Sequence, residues 1–276
     1  MVDQDPRAQL KAAIRRYPWI SRGMQWVFDP AFTPTYLIAR WARAQDGHIL
    51  NIGSGSRTIG DRVINLDIED SAHVHVVNRA PKLPFKDASF EGVLLEYVLE
   101  HVENYPEVLQ EALRVLKPGG SILATVPFRQ NYHACPSDYW RFTYEGLEVV
   151  FRRSGFEHIV VEVYGGPVSA WIDATKEFLA TLCSVGSPLV YAVLSQIFII
   201  PFIPLRYLDV VLRKLPVAKY TAFSLKISAQ KPGTLKANGH AVGLDEKIRQ
   251  TLWTDESYHV RKHGARYWIE PARVSG

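Results

Sequence analysis

Between His48 and Lys231 short apolar runs alternate with longer segments whose apolar residues recur at three- and four-residue steps. HILNIGSGS is a strand-like run entering a glycine-containing turn, VINLDI is a second and HVHVV a third. EGVLLEYV is a fourth, apolar enough to be buried on both faces. VENYPEVLQEALRVL then places Val108, Leu109, Ala112, Leu113 and Leu116 on one helical face. Lys117-Pro118-Gly119-Gly120 is expected to stop that helix, because proline lacks an N–H and glycine tolerates a left-handed turn. SILATVP reads as a fifth strand and residues 143–154 as a helix ending at Gly155. EHIVVEVY gives a sixth strand and YTAFSLKISAQK, residues 220–231, a seventh. This alternation predicts an α/β fold, with a mainly parallel sheet covered on both faces.

The flanks read differently. Residues 7–44 have helical patterning broken at Pro18, Pro30 and Pro34, so residues 1–46 form an N-terminal helical cap on a domain spanning 47–231. Residues 232–276 are polar and charged, with isolated Trp253 and Trp268, and form a tail without an assigned element. An apolar helical insertion occupies 166–219, before the last strand. Within it 28 consecutive residues, 178–205, carry no charge. That length crosses a bilayer once. If the sixth and seventh strands share a sheet, however, both ends of the insertion lie on one side, and a spanning hairpin needs about 40 apolar residues. Three readings stay open: a helix pair lying in an anionic membrane surface through 178–219, a lid over the active site, and a homodimer interface. The first is preferred, because Arg206, Arg213, Lys214 and Lys219 follow the apolar run directly.

Composition adds little beyond exclusions. The 276 residues are 47% hydrophobic, and the net charge of +4 is concentrated partly in 206–231, with six basic residues against Asp209. Cys135 and Cys183 stand far apart, and the first twenty residues lack an apolar run. A reduced, cytoplasmic protein without a disulfide framework or secretory signal is expected. No His/Cys group has linear metal-ligand spacing, so no metal is expected.

Chemistry concentrates at strand ends. Gly53-Ser54-Gly55-Ser56 follows the first strand, where glycines let backbone N–H groups approach an anionic ligand. Asp67 ends the second strand, where a carboxylate accepts from both hydroxyls of a ribose. On its own the turn is equally a structural strand–helix junction. The nicotinamide fingerprint does not fit, because Thr58 fills its last glycine position. Asp67 follows Gly53 by fourteen residues, so the intervening helix is expected to be short or replaced by a loop.

Taken together, these residues resemble the class I S-adenosylmethionine-dependent methyltransferases over roughly residues 48–231. ILNIGSGS is similar to the family's first motif and INLDI to its second-strand acidic motif. LPFKDASFEGVLLEYVLEHV followed by RVLKPGG is the most specific combination. The resemblance implies a Rossmann-like seven-stranded methyltransferase sheet with an antiparallel last strand, and S-adenosyl-L-methionine as cofactor. It implies that Asn51, Gly53, Ser54, Gly55, Ser56, Asp67, Ile68, Ala80, Leu83, Glu96 and Tyr97 hold that cofactor. VPFRQNYHACPSDYWRFTYEGL further resembles a branch with a His-x-x-Pro-x-Asp-Tyr-x-Arg-x-Thr segment, associated with glycans or related small metabolites. Three departures stand out: Asn51 replaces the first motif's acid, its third glycine is missing, and Arg79 occupies the position before LPF where relatives place an acid. Arg79 cannot accept from an adenine amino group, which leaves adenine to backbone near Ala80.

The implied function is methyl transfer to oxygen on a glycan or membrane-proximal small molecule. The alternative is a cofactor-free module of the same fold that binds a membrane or protein partner. Nucleic acid is not expected, since the core lacks a basic stripe. His133 and Asp138, after the fifth strand, are candidates for acceptor binding or proton removal. Arg141 is a candidate for fixing an anionic acceptor, and Tyr139 and Trp140 for stacking. The competing reading for Asp138 and Arg141 is an ion pair that pins the loop. His101 is expected to support the cofactor loop, and His73 and His75 to share a polar strand face.

Overall fold

The computed structural model describes residues 35–55, 59–78, 82–233, 244–252, 258–263 and 266–271. In chain order these form α1 (Thr35–Arg43), β1 (Ile49–Ile52), β2 (Val63–Asp67), β3 (Val76–Asn78), β4 (Phe90–Glu96), α2 (Tyr105–Val115), β5 (Leu116–Pro127), α3 (Tyr144–Arg153) and β6 (Glu157–Gly165). The insertion follows as α4 (Pro167–Cys183), α5 (Pro188–Ile197), a 3-10 run (Ile200–Leu208) and α6 (Asp209–Leu212). Then come β7 (Ser224–Gln230), α7 (Leu244–Thr251), β8 (Tyr258–His263) and β9 (Arg266–Pro271). The described part of the N-terminal cap is α1; the remainder, residues 1–34, lies outside the described residues.

The sheet order is β6-β7-β5-β4-β1-β2-β3-β9-β8. Strands β3, β2, β1, β4 and β5 are parallel, and β7 is antiparallel to both β5 and β6. Chain order reverses between β1 and β4, and the crevice beyond the carboxyl ends of strands at such a switch point is where α/β sheets bind ligands. The central strands are buried on both faces. Leu50, Val93 and Leu95 face one core cluster, and Ile49 and Leu94 face the other, with Ile38 and Ala42 of α1.

Four expectations change. The sheet has nine strands rather than seven, because the tail returns: β9 lies parallel to β3, and β8 closes on β9. An added strand covers an edge whose backbone groups would otherwise lack ladder partners. Ile248 and Leu252 of the same tail are buried in the main core. Lys117–Gly120 is not a helix stop. Helix α2 already ends at Val115, and these residues run inside β5, where Lys231 donates to Gly120 O and Gly119 donates to Lys231 O. Glycine is needed at Gly120, since a Cβ there would stand 2.9 Å from Lys117 O. The third strand is shorter than HVHVV. His73 and His75 precede it and serve Asn65, whose N–H donates to His75 Nδ1 at 2.9 Å. Burial, with His73 beside it, lowers the His75 pKa and favours this neutral acceptor. The last strand starts at Ser224, after a 3-10 turn over Pro216–Tyr220. Between β1 and β2 the described residues contain no helix.

The insertion closes on itself. Asp209 accepts from Val168 N at 2.9 Å and Ser169 N at 2.8 Å, so the residue that opens α6 caps the start of α4. A Cβ on Gly166 would stand 2.3 Å from Asp209 Oδ1, which is why glycine precedes that helix. Arg206 is buried between these helices, where Asp173 and Asp209 supply counter-charge. No single described helix is long and apolar enough to cross a membrane; α5 and the 200–212 run together reach that length but are bent by 49°.

At the opposite end of the sheet, buried Glu91 accepts from His48 N at 2.8 Å and pairs with the Lys117 ammonium. Burial pushes this carboxyl up, but the Lys117 hydrogen bond and charge outweigh it, and the pKa lies below the ordinary value of 4.5. A folded-state pKa below the unfolded one gives stability that is present above the ordinary glutamate range and lost as pH falls through it. Glu91→Gln is therefore expected to destabilise the protein by about 1–3 kcal/mol at neutral pH. It should also flatten the acid limb of stability against pH, as read by urea unfolding at several pH values.

Candidate functional site

The register Ile52 opposite Leu95 sets the turn after β1 beside the residues leaving β4. Gly53 has φ +67, and a Cβ there would stand 2.6 Å from Val98 Cγ2. Gly55 has φ +56, with nothing within 4 Å of where its Cβ would be. The N–H groups of the turn's three described residues are engaged inside the fold: Gly53 and Ser54 donate to Leu66 O, and Gly55 donates to Asp67 Oδ2 at 2.7 Å. The expectation that they approach a ligand as donors is corrected accordingly. What the glycines provide is close approach and an open flank. Asp67 Oδ1 also accepts from Glu69 N at 3.0 Å; each carboxylate oxygen keeps a second lone pair that can accept a hydroxyl. Ile68 is exposed beside it. Ser54 is buried, and among the described residues its hydroxyl has no hydrogen-bond partner.

Asn51 is turned away from this crevice. It is buried and donates to Asn65 Oδ1 at 3.0 Å, tying β1 to β2 below the turn. Leu83 also departs from the cofactor set: its side chain is in the main core and its N–H donates to Glu111 Oε2. Glu96 ends β4 beside the turn. Tyr97 follows with φ +55, a left-handed conformation rare for a bulky residue. Its N–H donates to Thr125 O and its hydroxyl donates to Ser224 Oγ at 2.8 Å, which holds that conformation. Ser56 and Ala80 lie outside the described residues.

The loop after β5 forms the second side. Tyr139 N donates to Glu100 O at 2.7 Å, and Trp140 Nε1 donates to Val102 O, so the loop rests on the 3-10 turn Leu99–His101 that follows β4. Arg141 supplies the clamp. Its guanidinium grips both Asp138 oxygens, and its other N–H groups reach the carbonyls of Gln130, Asn131 and Trp140. All five donors are then engaged, leaving none for an anionic acceptor. Asp138 also accepts from His133 N at 2.8 Å. Burial raises its pKa, Arg141 and His133 lower it, and the net shift is down, which favours the ionised form. Of the two readings of this pair, the structure shows the loop-pinning one. Tyr139 and Trp140 remain exposed on the loop.

His133 lies under this clamp, and its ring stands edge-to-face with His101 at a centroid distance of 5.1 Å. Between them lies Glu100, wholly buried, a residue that sequence reasoning passed over. The sequence offers no signal for it beyond its place between Leu99 and His101, because three residues of 3-10 turn carry no periodicity. The loop is also tied to the insertion: Asn131 N donates to Asp173 Oδ2 at 2.9 Å, and Asn131 Nδ2 donates to Asp173 O at 3.0 Å.

Gly55→Ala is expected to cost about 1–2 kcal/mol, the strain of a left-handed alanine. Gly53→Ala should cost more, because it adds the Val98 collision, and the difference in urea unfolding free energy between the two variants measures that contact.

Residues 56–124 match the family model described as a methyltransferase domain. A probable S-adenosylmethionine-dependent methyltransferase of Mycolicibacterium smegmatis is 36% identical over 93 residues, covering 29% of this chain and 36% of that protein. A demethylmenaquinone methyltransferase of Listeria monocytogenes is 35% identical over 80 residues, covering 28% and 33%. The match thus spans about a third of the length of these relatives. Among solved structures, the 1,6-didemethyltoxoflavin-N1-methyltransferase of Burkholderia thailandensis has a TM-score of 0.48 at 16% identity, covering 81% of this chain and 90% of that one. The matched residues, 56–124, run from the glycine turn into β5, within the sheet that β7 completes as an antiparallel strand, and the resemblance over them is to a methyltransferase domain.

Proposed function

We propose that this protein transfers a methyl group from S-adenosylmethionine to an oxygen of a small-molecule or glycan acceptor, at an anionic membrane surface. The observation that carries the reading is the crevice at the β1/β4 switch point, with the open flank of Gly55, the unpartnered Ser54 hydroxyl and the Asp67 carboxylate. These features suit a ligand with a ribose and a polar tail. Asp67 would accept from the ribose hydroxyls, Ile68 would cover an apolar ring edge, and Gly53 and Gly55 would admit the chain between them. The proposed set also keeps Ser56, Ala80, Glu96 and Tyr97. S-adenosylmethionine supplies, when bound, a carbon already activated for displacement, so the protein's part is alignment and exclusion of water. The loop pinned by Asp138 and Arg141 forms the acceptor side, where Tyr139 and Trp140 offer stacking faces. His133 lies beneath it, with its Nδ1 at 3.0 Å from Asn131 O, which orients Nε2 inward.

Membrane association is supported by the outer face of the insertion. Phe178, Leu182, Val185, Leu189, Ile200 and Val211 are all exposed there. Arg213, Lys214 and Lys219 line an adjoining cleft of about 440 Å³, in which Lys226 is paired with Glu162 at 2.8 Å. An apolar face beside a basic rim matches the interface of an anionic bilayer. Relatives named as demethylmenaquinone methyltransferases agree with a small-molecule acceptor.

Calorimetric titration with S-adenosylhomocysteine tests the first half. Saturable binding is expected, weakened at least tenfold, about 1.4 kcal/mol, by Asp67→Ala. No binding to well-folded protein would replace the enzyme with a cofactor-free module. For the second half, co-sedimentation with phosphatidylserine-containing vesicles should fall in high salt and in a Leu182→Ser/Leu189→Ser variant. Retention in the supernatant at low salt would remove the membrane from the reading.

A further inference from the structure

The structure assigns a divalent transition-metal site to Glu100, His101 and His133, with zinc as the best-matched ion. The ligating atoms of the three residues all lie within 4.8 Å of one another. Glu100 has 0% exposure, and among the described residues neither of its carboxylate oxygens has a hydrogen-bond partner. An ionised carboxylate so placed is costly unless a cation neutralises it. No Lys or Arg is paired with it among the described residues. What faces it are two imidazole Nε2 atoms, 3.9 Å away on His101 and 3.8 Å away on His133.

The orientation of those imidazoles is the second, independent observation. His101 Nδ1 lies 2.5 Å from Ser137 O and His133 Nδ1 lies 3.0 Å from Asn131 O. A carbonyl accepts only, so each Nδ1 carries the proton and each Nε2 presents a lone pair toward Glu100. Backbone carbonyls fixing the far nitrogen of a histidine are the usual support of a metal-ligating imidazole. His133 Nε2 is buried with no hydrogen-bond partner.

Distances separate an ion from a direct contact. At 3.8 and 3.9 Å the Nε2 and carboxylate atoms are too far apart for a hydrogen bond. Ligands at zinc's usual 2.0–2.2 Å, arranged tetrahedrally, stand about 3.4 Å apart. The two carboxylate–imidazole spacings need about half an ångström of closure or less around such an ion, and the whole set, within 4.8 Å, closes by rotation of the two rings. Two imidazoles and one carboxylate give three protein ligands and leave a fourth position for water or an acceptor oxygen, the pattern of a reactive rather than a structural zinc site. The set lies three residues beyond Tyr97, on the turn that carries the loop after β5. It was invisible as a linear motif because His133 is 32 residues from His101.

The assignment stands independently of methyl transfer, and its test reads metal directly. Protein stripped with chelator and then dialysed is titrated with zinc alone, and cobalt is used as a spectroscopic substitute. One zinc per chain is expected, with cobalt absorption typical of a four-coordinate N/O site. Glu100→Gln and His133→Gln should each weaken zinc binding at least a hundredfold, while His158→Gln, an exposed histidine outside the cluster, should bind as the parent does. Circular dichroism and urea unfolding show whether each variant is folded. If Glu100→Gln unfolds the chain, the His101→Gln and His133→Gln pair decides. No stoichiometric zinc binding by the parent, or binding unchanged in folded variants, would overturn the assignment.

Discussion

The structure depends on how the chain leaves β4. Within five residues of that strand's end, Tyr97 takes a left-handed turn, Val98 fills the space a side chain at Gly53 would need, and Glu100 offers its carbonyl to the loop after β5. The glycine-turn crevice and the loop after β5 therefore share one short piece of backbone. Tyr97 can hold its unfavourable conformation because both ends are anchored, the N–H on Thr125 and the hydroxyl on Ser224. The anchors belong to β5, next to β4, and to β7, one strand further on, so the sheet itself sets the turn.

The two sides of the crevice are built by different physics. The cofactor side is a matter of backbone geometry: glycines at positive φ, N–H groups satisfied within the fold, and one carboxylate oriented by two of them. The loop after β5 packs Trp140 and Phe142 on Tyr105 but is pinned by charge. Arg141 converts a polar loop into a rigid one by engaging three carbonyls and a buried carboxylate at once. The same loop reaches the insertion through Asn131 and Asp173. A displacement of α4 would be transmitted to Asn131, and from there to the carbonyl that orients His133.

The strands from β1 to β7, the glycine turn and Asp67 were legible in the sequence because each has a local signal, whereas the antiparallel return followed only from the family resemblance. Apolar runs bounded by turns mark the strands, and the acid falls at a strand end. What was not legible depended on contacts without local signals. The tail has few apolar residues to mark strands, yet β9 forms because β3 presents an open edge that backbone hydrogen bonds can satisfy. Lys117–Gly120 carries turn-forming residues but is held straight by Lys231, more than a hundred residues away. Asn51 reads as a ligand residue because of its place in the motif, but it is an interstrand strut because Asn65 sits opposite it in the register.

Glu100 shows most clearly why site chemistry outruns sequence. A glutamate next to a histidine near a helix start is ordinarily a solvated pair, and nothing in the neighbouring residues says otherwise. It becomes buried because the loop after β5 folds over the turn and lays its backbone on the glutamate's own carbonyl. That same act brings in His133 and removes water from both carboxylate oxygens. Burial of the charge and arrival of its partners are thus a single event. The cost of the buried carboxylate is incurred only where two inward-facing imidazoles and a bridging ion can offset it. The clamp formed by Arg141 and Asp138 holds the loop closed over Glu100, so the cluster beneath it depends on that ion pair.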